Sequence, residues 1–314
     1  MISSETKTTK WIMAVIVVLA FAGAALAVRK NVGGKVVTQL TFQTPADAGK
    51  ALDEAAKSSD PAELAKVLGV EAKNLLMSGD TDADKAAIDG FAQKYQQLNR
   101  WVDMSDGSQV LYIGADNFAF PMPLAKNASG KWYFDGVAGA QELRARDIGR
   151  NELLAIDACV VLANAEQIYA QNYSASGEFA QRVISSAGKQ DGLYWPVHGT
   201  EASSPLGNLS QFPKSAFPSY PTNDPLVMDG YTLRILNGQG DDAPGGAKGY
   251  IVDGKMTNGF AILATPVKYG ETGIMTFMIG PEGIAYEQDL GPETEKIAAA
   301  IQEYNPDESW WPVE

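Results

Sequence analysis

From Asp229 to Leu290 apolar positions recur at every second residue or run together, and glycine-rich turns separate the runs. Tyr231, Leu233 and Ile235 fall on one side of such a run, Thr232 and Arg234 on the other. Phe260 to Pro266 is nearly all apolar, and Thr272 to Ile279 is mostly so. Short apolar runs punctuated by DG, NG, GG and PEG predict antiparallel strands joined by tight turns. In the second run Phe260, Ile262 and Ala264 are expected opposite Ala261, Leu263 and Thr265, because side chains alternate along a strand. A closing helix is expected from Pro292 to Gln302, packed through Ile297, Ala298 and Ile301.

Between residues 42 and 140 the period changes once, from helical to alternating. Thr44 is placed to cap a helix that Pro45 opens, with Ala48, Ala51, Leu52 and Ala55 as its buried stripe. Asp60, Pro61 and Glu63 repeat the signal, and Gly69 is expected to end that helix. A third helix is expected from about Asp82 to Asn99, with Ala87, Phe91, Tyr95 and Leu98 inward. Hairpins are then expected around Asp106-Gly107 and Ala128-Ser129-Gly130. Helices followed by an antiparallel sheet make an α+β unit. That order resembles the cone-shaped fold of the nuclear transport factor 2-like group, which implies a cone-like domain and a pocket but no chemistry. Pocket candidates are Tyr95, Trp101, Tyr112, Phe118, Phe120 and Trp132, for which the plainer account is core packing.

A helical connector is expected over 141–184, broken at Gly149. It carries the densest charge cluster of the chain, Arg144, Arg146, Asp147, Arg150, Glu152 and Asp157. Arg144 and Arg146 are candidates for clamping an acidic ligand, against the simpler account of ion pairs at a helix–helix turn. Residues 185–228 lack periodicity but hold Tyr194, Trp195, Phe212, Phe217 and Tyr220, which predicts an ordered loop excursion. Tyr194, Trp195 and His198 are the candidate binding group there, with a structural role preferred for the lone histidine. Residues 229–314 are expected to be the antiparallel sheet and its helix.

Residues 1–30 combine Lys7 and Lys10, an apolar stretch from Trp11, and Ala25-Leu26-Ala27, the pattern of a signal peptide. The stretch Trp11 to Val28 is also just long enough to serve as a retained anchor. Either way the body is expected outside the inner membrane, periplasmic or secreted, and no second apolar run is expected to span a membrane.

Composition narrows the chemistry. With 25 Lys+Arg against 38 Asp+Glu, a net charge of −13, no basic footprint for nucleic acid exists. One cysteine, Cys159, rules out an internal disulfide, and its apolar helical setting predicts a buried, inert thiol. Phosphate loops, nucleophile elbows, His-Glu-x-x-His and Cys-x-x-Cys motifs are absent. Asp241-Asp242 lacks the alternating carboxylates of a calcium loop, and Asp80, Asp82, Asp84 and Asp89 suit a helix N-terminus without a metal. No cofactor and no metal site are expected.

The segments RDIGRNELLAIDAC (146–159), DGLYWPV (191–197), DGYTLRILNGQGDDAPGGAKGYIVDGKM (229–256) and GFAILATPVKYGETGIMTFMIGPEGIAYEQDLG (259–291) occur in order. In them the chain resembles the exported bacterial proteins grouped as "domain of unknown function 2950". The resemblance implies secretion and no established reaction. The last segment looks, more loosely, like the C-terminal sheet of type IV pilin-like heads. The function expected first is a non-catalytic envelope protein that binds another protein or supports an assembly. The alternative is a small-molecule binding module, and after it a carboxylate-dependent hydrolase of an envelope polymer. A bounded apolar pocket with convergent polar groups would favour the small-molecule reading.

Overall fold

The computed structural model describes residues 38–58, 60–196, 203–207 and 225–313. Residues 1–30, His198, Phe212, Phe217 and Tyr220 lie outside the described residues. Capping places the first helices. Helix α1 (Pro45–Ser58) starts at a reciprocal box in which Thr44 N donates to Asp47 Oδ2 and Asp47 N to Thr44 Oγ1. Helix α2 (Pro61–Leu68) starts at Asp60, whose carboxylate accepts from Ala62 N at 2.8 Å. Gly69, at φ +88°, ends α2 but at once opens another helix, α3 (Val70–Leu76). Helix α4 (Thr81–Gln97) is capped by Asp80, which accepts from Asp82 N and Ala83 N.

The first sheet holds β1 (Asn99–Asp103), β2 (Gln109–Ile113), β3 (Phe118–Ala119), β4 (Leu124–Lys126) and β5 (Trp132–Phe134). All pairings are antiparallel in the order β1-β2-β4-β5, with β3 also on β2, and Trp101 lies opposite Leu111. Both hairpins form where the turn residues placed them. Ala48, Leu52, Leu64, Val67 and Leu68 from the helices meet Leu111, Ile113, Leu124 and Phe134 from the sheet in the first core.

Helix α5 (Gly136–Asn172) is a single helix of 37 residues, which corrects the expected break at Gly149. A Cβ added at Gly149 would meet nothing within 4 Å, so the glycine is there without a turn that needs it. Its helix penalty of about 1 kcal/mol is small against two cores. The first turns of α5 pack on the first core through Leu143 and the close approach of Gly139 to Met122, while Ala155, Ala158, Cys159 and Leu162 enter the second. By length and a mean hydropathy of 1.4 over 18 of its residues this helix would also suffice to cross a membrane, so the expectation of no second such run is corrected. Its packed face marks it as a core helix.

The second sheet runs β16-β14-β13-β12-β7-β6, every pair antiparallel: β6 (Leu226–Met228), β7 (Tyr231–Leu236), β12 (Ala261–Pro266), β13 (Met275–Ile279), β14 (Ala285–Asp289) and β16 (Trp311–Pro312). Ile262 opposes Ile235 and Ala264 opposes Leu233 on the side of α5, where Glu152 accepts from Ile274 N and Met275 N. Leu263 opposes Arg234 on the other side. There Arg234 donates to Ala298 O and Ile301 O at the end of α6 (Thr294–Ala300). The alternation expected along β12 is therefore present, and both faces are covered. A hairpin of β10 (Ile251–Val252) and β11 (Lys255–Met256) turns through Asp253 and Gly254, both at positive φ. A small sheet joins β8 (Gly238–Gln239) to β9 (Lys248–Gly249) and, in parallel, to β15 (Glu303–Tyr304).

The closing helix is shorter than expected and turned differently. It buries Thr294 and Ala298, one turn apart, and leaves Ile297 40% exposed. Ile301 packs on the second core from just beyond the helix. The architecture is α+β: N-terminal helices, several antiparallel sheets and a helical connector.

Candidate functional site

Helix α4 carries an apolar stripe that the protein leaves unburied. Ala87, Ile88 and Phe91 share a face with Asp84 and Lys94, spaced three and four residues apart. Yet the one buried residue of this helix is Asp84. A stripe that faces a close-packed core would be covered, so the half-buried Ile88 and Phe91 signal a space in front of them.

That space is a cavity of about 400 Å³ between the four N-terminal helices, the first sheet and the start of α5. Its floor is Leu52, Ala56, Leu64, Leu68 and Ile113, all buried. Phe91, Phe120 and Leu143 form its walls, the two phenylalanine rings 5.3 Å apart. The polar groups are few, and two of the cations meet at Phe118, a residue 42% exposed. Lys94 Nζ lies 5.2 Å and Arg146 Cζ 5.6 Å from the centroid of that ring. Lys73 and Asp84 complete the charged lining.

Each charged group is held by an identifiable contact. Arg146 donates from Nε to Glu142 at 2.8 Å and from Nη2 to Ala119 O at 2.9 Å, which fixes its fork beside β3. Lys94 donates to Asp116 at 2.6 Å, and that hydrogen bond holds the Asp116 carboxyl below its usual range. Asp84 accepts from Ser78 Oγ and Ser78 N and from Gly79 N, so it pins the α3–α4 turn at the cavity edge. Those Ser78 bonds, with help from the Lys73 charge, lower its pKa. Lys73 Nζ donates to Asn74 Oδ1 at 3.4 Å.

Of the aromatic pocket candidates, Phe118 and Phe120 line the cavity. Tyr95 stacks on Phe91 behind the stripe, and Trp101 and Trp132 belong to the first core or its edge. Tyr112 lies under the Arg100 guanidinium. Arg146 is at the cavity, whereas Arg144 is exposed and not part of its lining. The ion pairs of the connector cluster run within one helix, Arg146 to Glu142 and Arg150 to Asp147, and not across a turn, because the turn does not exist.

Two members of the second candidate group lie among the described residues. Tyr194 and Trp195 are buried, Tyr194 in the second core and Trp195 edge-on to Tyr173 at 5.2 Å. His198 lies outside the described residues, and Asp191, its nearest acidic neighbour in sequence with Glu201, is occupied by Ser186 N and Oγ.

Carboxylates elsewhere serve structure. Asp80 caps α4, Asp89 pairs with Lys85, and Asp242 exchanges hydrogen bonds with Asn305. Among the described residues no group of three or more His, Cys, Asp or Glu is placed to hold a metal. Burial and the nearby Glu152 raise the Glu287 pKa, but neither carboxylate lines the cavity beneath α4. A larger groove of about 610 Å³ beside α6 is lined by Asp289, Glu303, Asn305 and Asp307 together with Ile297, Ile301 and Trp310, a mixed polar and apolar surface.

The sequence reading missed Lys73, Lys94 and the apolar floor. Leu52, Leu64 and Leu68 read correctly as helix stripes, but nothing in a stripe says whether the opposite wall touches it. The available signal was the weak apolar content of α4, with Gly90 in the middle of its inward face.

A family model described as "Protein of unknown function (DUF2950)" matches residues 39–313. No curated protein matches the chain, and no solved structure does.

Proposed function

The chain belongs to the DUF2950 family, and from that premise we propose that it is a non-catalytic module that binds a small apolar molecule in the cavity beneath α4. The observation that carries the reading is the uncovered apolar face of α4 over a space of ligand size. Apolar surface left out of contact is costly, and a fold without a use for the space gains by closing it. About 400 Å³ lies within the usual range of ligand pockets, roughly 300–1,000 Å³, and an apolar lining with a few convergent polar groups is their usual chemistry. The cone-like reading of residues 42–140 is part of this proposal, since it implies a pocket between helices and sheet.

This places the small-molecule reading ahead of the protein-binding one, which rests on a lack of reactive groups and specifies no surface. The hydrolase reading has only the groove beside α6, where Asp289 accepts from Gly291 N and Tyr269 Oη and Asp307 from Ser309 N and Oγ, local contacts that tie both carboxylates to their own turns. The signal-like residues 1–30 support a location outside the inner membrane, periplasmic or secreted, and a mass ending at Ala27 cleavage would bear on it.

Filling the cavity tests the proposal. Gly90 lines it, and an added Cβ there meets nothing within 4 Å. Gly90→Leu should keep or raise the melting temperature, because leucine favours helix, and abolish the fluorescence rise of the neutral probe phenylnaphthylamine. A wild-type protein that gives no rise, or a variant that binds as well, would sink the reading.

A further inference from the structure

The cavity is not apolar throughout, and its charges are not spread evenly. Leu52, Leu68 and Ile113 are at most 3% exposed and form an apolar floor. Lys94 and Arg146 have side chains 41% and 35% exposed and meet at the half-open Phe118 ring. The lining thus grades from hydrocarbon at the bottom to cationic at the solvent edge. We propose, resting on the binding reading above, that the occupant is a single-chain amphiphile with an anionic head, its chain on the floor and its carboxylate or phosphate between Lys94 and Arg146.

Three features support this class over a neutral or cationic one. The lining holds three cations and one anion, and that anion, Asp84, already accepts three hydrogen bonds from Ser78 and Gly79. It is therefore not free to receive a cationic head. The partners that Lys94 and Arg146 now have, Asp116 and Glu142, are roughly half exposed. Exchanging such pairs for a ligand oxyanion costs little, because exposed ion pairs contribute little to stability. Charge-assisted hydrogen bonds from Arg and Lys at the edge of an apolar site are stronger than those in open water.

Volume sets the chain number. A cavity of roughly 150 Å³ holds one benzene-sized guest, so about 400 Å³ takes on the order of a dozen carbons. That is one short acyl chain and not the two of a bilayer phospholipid. The overall charge of −13 makes the cationic edge a local exception, and so a selective one.

Displacement of phenylnaphthylamine from the full chain separates the possibilities. Dodecanoate, dodecyl phosphate, dodecanol and dodecyltrimethylammonium share a tail and differ in the head. The anionic pair should displace the probe at concentrations about tenfold lower than the alcohol, and the cation should be weakest. Comparing carboxylate with phosphate tells which head the edge prefers. Lys94→Gln combined with Arg146→Gln should remove that tenfold advantage while dodecanol displaces as before. Because Arg146 also holds Ala119 O, Lys94→Gln alone, which should remove part of that advantage, provides the comparison if the first variant melts early. Equal displacement by acid and alcohol, or an advantage that survives both charge variants, would overturn the head-group inference and leave the cavity reading intact. Failure of the wild type to take up the neutral probe at all would overturn both.

Discussion

At the residue scale the most exposed tension in the protein is a buried acid. Glu166 of α5 is fully buried, accepts from Ala180 N at 2.8 Å, and has no partner for Oε1 among the described residues. Burial raises its pKa well above the ordinary value of 4.5, so the folded protein keeps a proton that the unfolded chain gives up. Where the native state binds more protons, stability falls as pH rises. This contribution is absent below pH 4.5 and grows above it, until the folded group itself titrates. Glu166→Gln keeps the acceptor for Ala180 N and removes the ionisation. It should melt higher than the wild type at neutral pH, with the gap widening by on the order of 1 kcal/mol per pH unit at most. Parallel melting curves across pH 4 to 8 would show that Glu166 ionises freely in the fold.

At the element scale α5 decides the architecture. It is one helix that serves two cores, and its glycines differ in kind. At Gly139 an added Cβ would lie 1.8 Å from Met122 Sδ, so that glycine permits the close approach of α5 to the first core. Gly149 has open space around it and lies mid-helix. Gly149→Ala should therefore stabilise the protein by about 0.5–1 kcal/mol, read as a higher melting temperature. A loss of stability would show a turn at that position after all. Strands and caps follow local chemistry closely: Asp60, Asp80 and Asp135 each accept backbone N–H groups at a helix start. Helix α6 is the contrast. Its apolar residues suited more than one face, and the docking of Arg234 on its last carbonyls accompanies the one that buries Ala298 and exposes Ile297.

At the scale of the whole molecule, residues from Thr38 onward make one compact unit although they hold two hydrophobic cores. The common element is α5, and a helix cannot stay formed at one end while its other end loses the core that holds it without exposing both. Gly139→Ala in the first core should cost about 1–3 kcal/mol by overpacking, and Leu162→Ala in the second about 2–5 kcal/mol. In calorimetry both should lower the same single transition. Two transitions, each moved by one of the variants, would mean that the cores unfold separately.

Much of this was legible in the sequence because its causes are local. The period of apolar positions gave α1, α2, α4, the paired strands and the two-sided alternation of β12, and turn residues fixed both early hairpins. Composition set the charge and the want of reactive motifs, and the long glycine-rich blocks marked the family. The rest depends on distances between segments far apart in the chain. The cavity exists because α4 stands off from Leu52, Leu68 and Ile113, and the cationic edge because Lys94 and Arg146, on two helices, meet at Phe118. Tyr194 and Trp195 are buried, and an aromatic side chain lines a pocket or fills a core by the same chemistry. A sequence determines which faces are apolar; only the packed chain decides whether two such faces touch or leave room between them.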